Sequence, residues 1–337
     1  MNTRLKDVAD LAGVSIKTVS NVVHGYAHVT SETRQRVQAA LEALNYQPNL
    51  PARFLRKARV GVLALAIPDL SVPYFSELGD MIIRTAMDHN YTVLIDHTGG
   101  ERAHELLVIQ GLRPHLIDGV ILSPLALQHE DLLAQRGNMP LVLLGERFYD
   151  VPYDHVVIDN VAAAQLATQH LITQGRRRIA AIGAQEDISG ETARLRLRGY
   201  KEALLEAGYP LDPALIVPAR SFHRSDGREA MLHLLTLEQP PDAVFCFNDL
   251  LALGALRALF ERGLRVPEDV AVVGFDDIED GRFSTPSLTT IAPDKQQIAQ
   301  LAISFLLGRC NGTRTGPAEH AEASFRLVMR ESTLARG

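Results

Sequence analysis

The 337-residue sequence has no tryptophan and only two cysteines. Cys246 lies in an apolar run and Cys310 lies beside a turn signal, and no C-x-x-C pair is present, so neither a zinc site nor a disulfide scaffold is supported. No apolar run approaches the ~20 residues of a membrane span, and the amino terminus lacks a basic-then-apolar signal segment. These absences predict a cytoplasmic protein without a bound metal.

Motifs of common catalytic sites are also missing. The sequence contains no G-x-x-x-x-G-K-[ST] phosphate loop, no H-E-x-x-H zinc motif and no G-x-S-x-G nucleophile elbow. Asp276 and Asp277 are adjacent, but neighbours on an extended chain point to opposite sides, which disfavours a catalytic carboxylate pair. We therefore predict that the chain is not an enzyme and uses no cofactor.

Charge is distributed unevenly along the chain, whose formal net charge is -6. Residues 1–59 hold nine Lys/Arg and four Asp/Glu, a net charge of +5. The remaining residues hold twenty-five Lys/Arg against thirty-six Asp/Glu, a net charge of -11. A basic head on an acidic body predicts one phosphate-binding module attached to a body that binds no polyanion, with chance clustering as the alternative.

The stretch LKDVADLAGVSIKTVSNVVHG, residues 5–25, predicts two short helices joined by a tight turn. Gly13 stands where the chain must bend, and Ser15 offers its hydroxyl as the N-cap of the second helix. This is the spacing of a DNA-binding helix-turn-helix, whose second helix would present Ile16, Lys17 and Asn21 to a major groove.

A third helix is predicted from Thr30, and it closes a small all-α headpiece. Pro48 stops this helix, because the residue before a proline is disfavoured in helical conformation. The basic segment LPARFLRKAR follows, and ten residues of helix are marginal alone in water. We predict a helix-turn-helix domain over residues 1–46 and a hinge over 47–59 that orders only when something holds it.

From residue 60 onward, apolar strand-like runs alternate with helical stretches. The first set is VGVLALAI, YTVLI, DGVIL and PLVLL, and the second is RIAAIG, AVFCF and VAVVGF. Strands that are apolar on both faces and alternate with helices predict parallel sheets covered on both sides. The expected fold class is an α/β core of two doubly wound parallel-sheet lobes, with a ligand between them beyond the carboxyl ends of the strands.

Together these patterns resemble the lactose repressor (LacI/GalR) family of bacterial transcription regulators. The resemblance covers essentially the whole chain and rests on residues 5–25, on VTSETRQRVQAALEALNYQPN, and on the core motifs VPYFSEL, RLRGY, FCFNDLLALGALRAL, VAVVGFDD, LTTI and MREST. It implies a core like that of periplasmic sugar-binding proteins, with chain crossings near residues 159–162, 289–293 and 320–324. The N-lobe would then comprise about 60–160 and 292–322, and the C-lobe about 161–290 and 323–337.

The resemblance also implies DNA contacts. Lys17 would donate to guanine, Asn21 would pair with adenine, and Ile16 would contact a thymine methyl group. Leu55 would enter the minor groove from the hinge as an apolar wedge, although an ordinary exposed linker is the alternative. The remaining implied contacts, several of them hydroxyls that would hold phosphates, are Arg4, Leu5, Ser15, Thr18, Ser20, His24, His28, Thr33, Asn49 and Ala52. Arg4 departs from the small hydroxyl residue that is common before Leu5, and Pro51 and Phe54 depart from the usual hinge residues.

The implied effector site lies in the cleft between the lobes. Its residues would be Asp69, Ser71, Phe75, Ser123, Glu146 and Arg147 from the N-lobe and Arg196, Phe222, Asn248 and Asp276 from the C-lobe. A planar guanidinium and carboxylates suit the adjacent hydroxyls of a sugar, and aromatic rings suit its apolar face. Some alternatives are structural: Asp249 is expected to cap the following helix, Asp277 to be a turn or surface carboxylate, and Phe75 is equally well a core residue.

The resemblance thus predicts a ligand-responsive transcriptional regulator, a repressor that binds a palindromic operator as a homodimer. The small molecule would be a sugar or sugar derivative, with a nucleobase as the alternative. The sequence ends four residues after Thr333 without apolar heptads, so we expect a dimer rather than a tetramer. A periplasmic-type binding protein, the other class considered, would lack the helix-turn-helix. The effector, the direction of its effect on DNA binding and the target genes are left open.

Overall fold

The computed structural model describes residues 4–23, 29–44, 46, 59–110, 116–135, 139–146, 148, 150–185 and 190–334. The chain forms two compact units, Met1–Val60 and Gly61–Gly337. Among the described residues, no helix is long and apolar enough to span a membrane.

The first unit contains three helices, α1 (Leu5–Ala12), α2 (Ile16–Val23) and α3 (Ser31–Ala43). They enclose a small core whose buried members are Val8, Ala9, Ala12, Val19, Val22, Val37 and Ala40. Gly13 ends α1 in the left-handed region, with φ 64°, and a Cβ there would lie 2.9 Å from Nη2 of Arg36. Arg36 itself donates to the carbonyl oxygen of Ala12. The turn requires glycine for its left-handed backbone, and a side chain there would also displace the end of Arg36.

The second unit contains two six-stranded sheets, each of which forms the centre of one lobe. The sheet of the N-lobe has the order β11-β5-β4-β3-β1-β2, with β1 (Val62–Ile67), β2 (Thr92–His97), β3 (Gly119–Leu122), β4 (Leu141–Leu144), β5 (Asp154–Val157) and β11 (His320–Glu322). The sheet of the C-lobe has the order β12-β10-β9-β8-β6-β7, with β6 (Ile179–Ala184), β7 (Ile216–Pro218), β8 (Ala243–Cys246), β9 (Ala271–Phe275), β10 (Thr289–Pro293) and β12 (Phe325–Val328). All neighbouring strands are parallel except β10 and β12.

Helices cover the sheets on both faces. They are α4 (Pro73–Asp88), α5 (Arg102–Ile109), α6 (His129–Ala134), α7 (Asn160–Thr173), α8 (Glu191–Glu206), α9 (Arg224–Leu234), α10 (Asp249–Glu261), α11 (Glu279–Arg282) and α12 (Lys295–Asn311), and a 3-10 turn spans Pro213–Leu215.

The packing of strand β1 explains why its sequence is apolar throughout. Leu63 and Leu65 share a core with Leu78 of α4, whereas Ala64 and Ala66 share the opposite core with residues of α5 and α6.

The chain passes between the two lobes three times. The passages lie between β5 and α7, between β10 and α12, and between β11 and β12. Residues 289–293, where sequence alone places the second passage, form β10 within the C-lobe sheet, and the chain crosses directly after it. Because α12 then packs on α4 and on β3, β4 and β5, its first residue stands at the border of the lobes.

Candidate functional site

A cavity of about 620 Å³ lies between the lobes, at the carboxyl ends of both sheets. The predicted residues that line it are Asp69, Phe75, Ser123 and Glu146 from the N-lobe and Arg196, Phe222, Asn248 and Asp276 from the C-lobe. Ser71 does not line the cavity, and its backbone N–H donates to Oδ1 of Asp69 at 2.7 Å. Arg147 lies outside the described residues. Phe75, for which the sequence left two interpretations, lines the cavity and also packs on the core.

The cavity wall also includes polar and aromatic residues that the sequence analysis missed. They are Tyr74, His97, Asn160, Gln185, Glu191, Thr192, Arg220, Ser221 and His223. Tyr74 adjoins Phe75 in VPYF, and Asn160 begins the helix after the first passage between lobes, so both stand at positions that the sequence could have flagged. His97 ends β2 and Gln185 directly follows the buried strand β6, so the rule that flagged Asp276 also applies to them. The others lie on α8 or in the segment before α9, whose placement over the sheet sequence periodicity does not determine.

Arg196 is held rigidly at the base of the cavity. Its Nε donates to Oδ1 of Asn160 at 2.7 Å, its Nη1 donates to the carbonyl oxygen of Phe247, and its guanidinium carbon lies 3.5 Å from the centre of the Phe275 ring. Burial lowers the pKa of Arg196, although the charges of Asp276 and Glu146 oppose that effect. The guanidinium is therefore pre-oriented by protein contacts on one side and faces the cavity on the other.

Asp276 is the second polar group of the cavity wall that the fold holds in a defined position. It follows β9, its backbone N–H donates to the carbonyl oxygen of Ile291 at 2.8 Å, and its φ of 114° is unusual for a residue with a side chain. Among the described residues, no donor lies within hydrogen-bonding distance of its carboxylate, although the residue is only 8% exposed. Burial raises the pKa of Asp276 to about 6, even though Arg196 and Lys295 act to lower it. A carboxylate that opens into a cavity and accepts no hydrogen bond from the described residues is suited to ligand donors.

Glu146 brings a carboxylate to the cavity from the opposite lobe. Its Oε1 accepts the backbone N–H of Ile158 at 3.1 Å, and its Oε2 accepts the hydroxyl of Thr192 at 3.4 Å. Burial raises the pKa of Glu146, and burial also raises that of the neighbouring Tyr74 hydroxyl. The cavity thus has hydrogen-bonding groups on both lobes and apolar rings between them.

Asn248 and Asp249 correct one sequence-based expectation. The N-cap of α10 is Asn248, whose Oδ1 accepts the N–H of Leu251 at 2.8 Å and whose Nδ2 donates to the carbonyl oxygen of Phe222 at 3.0 Å. Asp249 is instead fully buried inside the first turn and accepts the hydroxyl of Thr290 at 2.7 Å. The expectation that Asp249 caps the helix was wrong by one residue because β8 ends at Cys246, which leaves Asn248 in the extended conformation that an N-cap adopts.

Asp277 lies in the loop after β9 and does not line the cavity, in agreement with the expectation of a turn residue rather than a ligand contact, but it is not a surface carboxylate. It is 7% exposed, and its carboxylate accepts from Nη2 of Arg330 at 2.6 Å and from Nη2 of Arg282 at 3.0 Å. Burial alone would raise the pKa of Asp277, but these two guanidinium groups outweigh it and hold the pKa below its usual value. Asp277 therefore anchors the loop that carries Asp276.

In the three-helix unit, α2 carries the predicted base-reading residues. Val19 and Val22 of α2 are buried, whereas Lys17 is exposed and Ile16 remains 49% exposed despite its apolar side chain. Asn21 is half-buried, and its position around the helix axis is roughly 140° from that of Ile16, so the two residues border a wide sector of the helix surface. The accessible surface of α2 therefore combines an apolar, a cationic and an amide side chain.

The predicted phosphate-binding hydroxyls also serve the local fold. The Oγ of Ser15 accepts the N–H of Thr18 at 3.1 Å, and the Oγ1 of Thr30 accepts the N–H of Thr33 at 3.3 Å. Arg4 is exposed ahead of α1, Leu5 packs against the small core, and Ser20 is half-buried on α2. His24, His28, Asn49, Ala52 and Leu55 lie outside the described residues.

Comparison with known proteins identifies both units. Residues 4–49 match the family described as bacterial regulatory proteins, lacI family, and residues 168–333 match the periplasmic binding protein-like domain. The HTH-type transcriptional repressor CytR of Escherichia coli (strain K12) is 35% identical over 334 residues, which cover 98% of this chain and 96% of CytR. The chain belongs to the LacI family. The HTH-type transcriptional repressor PurR of Haemophilus influenzae (strain PittEE) is 32% identical, over 97% of this chain and 98% of PurR.

Solved structures of LacI-family proteins share the architecture. The lac repressor dimer bound to operator and the anti-inducer ONPF has a TM-score of 0.84 and 29% identity, over 99% of this chain and 100% of that one. The complex of the transcriptional regulator CelR with cellobiose has a TM-score of 0.70 and 32% identity, over 98% of this chain and 99% of that one. A LacI-family regulator from Enterococcus faecium with bound ribose has a TM-score of 0.72 and 25% identity, over 82% of this chain and 100% of that one.

These relatives confirm the predicted fold class, an all-α headpiece with a two-lobed α/β core. They also confirm the predicted function, that of a ligand-responsive transcriptional repressor of the LacI family. The relatives are transcriptional regulators rather than enzymes.

Proposed function

We propose that this LacI-family protein binds an inverted-repeat operator as a homodimer, and that a sugar or sugar derivative in the interlobe cavity controls its affinity for DNA. The observation that carries the proposal is that the guanidinium of Arg196, held in place by Asn160, and the carboxylate of Asp276, which accepts no hydrogen bond from the described residues, both line that cavity. We further propose that the protein acts in the cytoplasm at the nucleoid, that it has no catalytic activity, and that residues 1–46, 47–59 and 60–337 are its DNA-binding, hinge and effector-binding parts.

The chemistry of the cavity supports a hydroxyl-rich ligand. Transfer of Asp276 from water to a site without a donor is unfavourable, and ligand hydroxyls would supply the missing hydrogen bonds. Arg196 and Asn248 offer donors on the same lobe, while Ser123 and Glu146 face them from the other lobe. Phe75 and Phe222 provide apolar surface for a ring face. The CelR and Enterococcus faecium relatives, with cellobiose and ribose bound, support the same ligand class.

The headpiece supports readout of double-stranded DNA through α2. Lys17, Asn21 and Ile16 match guanine, adenine and the thymine methyl group, and the hydroxyls of Ser15, Thr18, Ser20 and Thr33 suit phosphates. We propose Arg4, Leu5, His24 and His28 as further contacts. For the hinge we propose Leu55 as the minor-groove wedge, with Asn49 and Ala52 beside it.

Exposed apolar side chains on both lobes support a homodimer. Phe260 and Phe283 of the C-lobe are 74% and 79% exposed, and Leu94 and Ile95 of the edge strand β2 are 39% and 42% exposed. Contiguous apolar surface marks interaction sites, and we propose that these side chains contribute to such a surface. A second copy is the partner we propose, since a twofold dimer would present two headpieces to an inverted repeat. The similar lac repressor structure is a dimer bound to operator.

Replacement of Arg196 by Lys tests the assignment of the cavity. Lysine keeps the positive charge but cannot reproduce both the hydrogen bond to Asn160 and the flat contact with Phe275. We expect the Arg196→Lys variant to bind the sugar at least about tenfold more weakly and to lose its sugar-dependent change in operator affinity. Operator affinity without sugar should stay within about twofold of the parent protein.

The sugar for this experiment is found by thermal-shift screening, since a ligand that binds the native state raises the melting temperature. Arg198→Lys is the matched control, because Arg198 lies on the same helix, is 59% exposed and reaches only toward Glu202 at 3.6 Å. The control should respond like the parent protein. An Arg196→Lys variant with the full sugar response would remove Arg196 from the site.

A further inference from the structure

The loop from Asp276 to Glu279 adopts a backbone that needs support. Asp276 and Asp277 have φ values of 114° and 49°, both in a region that residues with side chains rarely adopt. Such conformations persist where the surrounding contacts hold them in place. Asp276 carries the carboxylate that lines the cavity, so whatever holds this loop also positions that carboxylate.

Part of this support comes from the C-lobe itself. The carboxylate of Asp277 is held by Arg330 and Arg282, and the N–H of Ile278 donates to Oδ2 of Asp249 at 2.9 Å. These contacts anchor the side of the loop that faces its own sheet. Nη2 of Arg282 also reaches the backbone carbonyl oxygen of Asp277, at a long 3.5 Å. None of these C-lobe contacts reaches the N–H of Glu279.

The N-lobe supplies the remaining contacts through two charged side chains. Nζ of Lys295, at the start of α12, donates to the carbonyl oxygen of Asp277 at 3.2 Å. Oε1 of Glu77, on α4, accepts the N–H of Glu279 at 2.9 Å. The two side chains also form an ion pair with each other. Lys295 is only 6% exposed, and its Nζ lies 5.7 Å from the centre of the Tyr74 ring.

Neither Glu77 nor Lys295 lines the cavity, yet both act on a residue that does. The charge of Lys295 lowers the pKa of Asp276 and the charge of Glu77 raises it, so both lie close enough to act on that carboxylate. Another contact between lobes, between Nε2 of His223 and Oδ2 of Asp69, is longer at 3.7 Å and joins side chains that are 44% and 34% exposed. The Glu77–Lys295 contact is therefore the better shielded from solvent.

We propose that Glu77 and Lys295 form an interlobe latch that fastens the Asp276–Glu279 loop to the N-lobe and thereby positions Asp276 for the ligand. Both are positioning residues, since neither touches the cavity. The latch couples the arrangement of the lobes to the site because it joins α4 and α12 of one lobe to the loop of the other. The significance of the latch for the ligand rests on the proposed function, whereas the contacts that form the latch involve only residues of the chain itself.

Hydrogen-exchange mass spectrometry on the full-length, ligand-free protein tests the latch. The variants Glu77→Ala and Lys295→Met each remove one charged partner and one hydrogen bond to the loop. In both, we expect the amides of peptides covering residues 276–282 to exchange at least about tenfold faster than in the parent protein. Peptides from α4 and from β8 should keep the exchange rates of the parent. The double variant should match the single variants within about twofold, because either change already opens the latch.

Two further variants keep the result interpretable. Asp80→Ala is the matched control, because Asp80 lies on the same helix and pairs only with the exposed Arg84 of its own lobe; it should leave exchange of the loop unchanged. Glu77→Gln retains an acceptor for the N–H of Glu279 but weakens the ion pair, so it should give an intermediate rate and serves if Glu77→Ala fails to fold. Loop exchange at the parental rate in Glu77→Ala and Lys295→Met would overturn the proposal, as would acceleration spread evenly over both lobes. Absence of sugar binding would refute the proposed function but would not alter this result.

Discussion

The carboxylate of Asp276 is placed to bind a ligand, but burial of its charge lowers the stability of the fold. Its carboxylate is buried, and the charged groups that face it are Arg196 on α8, Lys295 on α12 and Glu77 on α4, with Asp249 and Tyr74 also near. Burial dominates and raises its pKa to about 6 from the ordinary 3.8. With its pKa near 6, the Asp276 carboxylate is largely ionised at neutral pH although it accepts no hydrogen bond from the described residues.

The Asp276→Asn variant should be more stable than the parent protein at pH 7.5. A raised folded-state pKa means that the native state binds the proton more tightly than the unfolded state does, so this stabilisation is complete below the unfolded pKa and is lost as the pH rises through about 6. Asparagine mimics the neutral acid, and the gain at pH 7.5 should reach at most about 3 kcal/mol. Urea unfolding without ligand at several pH values measures it.

The advantage of the Asn variant should shrink as the pH falls from 7.5 to 4, because the parent carboxylate then becomes neutral too. Asp88→Asn is the control, since it makes the same substitution at an exposed carboxylate at the end of α4. A constant difference between Asp276→Asn and the parent at every pH would show that burial of the charge is not the cause.

The sequence predicts Asp276 and Asn248 as cavity residues because polar residues that directly follow buried strands emerge at the binding edge of a parallel sheet. It does not predict the roles of Asp249 and Asp277. Those depend on the positive φ values of the loop after β9 and on Arg330, which lies 53 positions beyond Asp277 in the chain. Sequence spacing carries no signal for such a long-range partner.

At the scale of elements, the contact between α9 and α10 places Asn248 and Phe222 beside the cavity. The two helices approach so closely that a Cβ built on Gly254 would lie 2.0 Å from the carbonyl oxygen of Arg224, and one built on Gly227 would lie 2.0 Å from that of Leu251. Both obstructions are backbone atoms, which cannot rotate away. The helices would have to separate to admit any side chain.

The Gly254→Ala variant should therefore be destabilised by about 3 kcal/mol, near the upper end of the range for overpacked cores. Gly79→Ala in α4 is the matched control, because its Cβ would meet Leu65 at an ordinary 3.6 Å. The control should be neutral or stabilised by up to about 1 kcal/mol from helix propensity. Urea unfolding of both variants measures the contrast, and equal stability of the two would contradict the packing argument.

Apolar runs predict strands β1, β2, β3, β4, β6, β8 and β9, since both faces of a covered strand favour aliphatic residues. They do not predict β5, although all but one of its residues are buried. Its Asp154 is buried because Nη2 and Nε of Arg309 each bind it at 2.7 Å, and its His155 stacks on His320 of β11 with ring centres 4.9 Å apart. A polar strand that depends on partners 155 and 165 positions away has no local apolar pattern.

At the scale of the whole molecule, the chain joins a small DNA-binding fold to a large ligand-binding fold. The basic head and the acidic body agree with this division, because only the head would meet phosphates. Control of DNA binding by a ligand requires that the ligand bind the two arrangements of the core with different affinity. The cavity lining and the Glu77–Lys295 latch both draw on the two lobes, so a change in the arrangement of the lobes would alter them.

DNase I footprinting with and without a saturating sugar, identified by thermal shift, tests the central claim most directly. DNA for the experiment is taken from the region upstream of the gene that encodes the protein and from its neighbouring genes. We predict protection of one inverted repeat with two half-sites, and a change of at least about tenfold in the protein concentration needed for half protection when the sugar is present. Protection without twofold symmetry, or the same half-protection concentration with every sugar that stabilises the protein, would contradict the account.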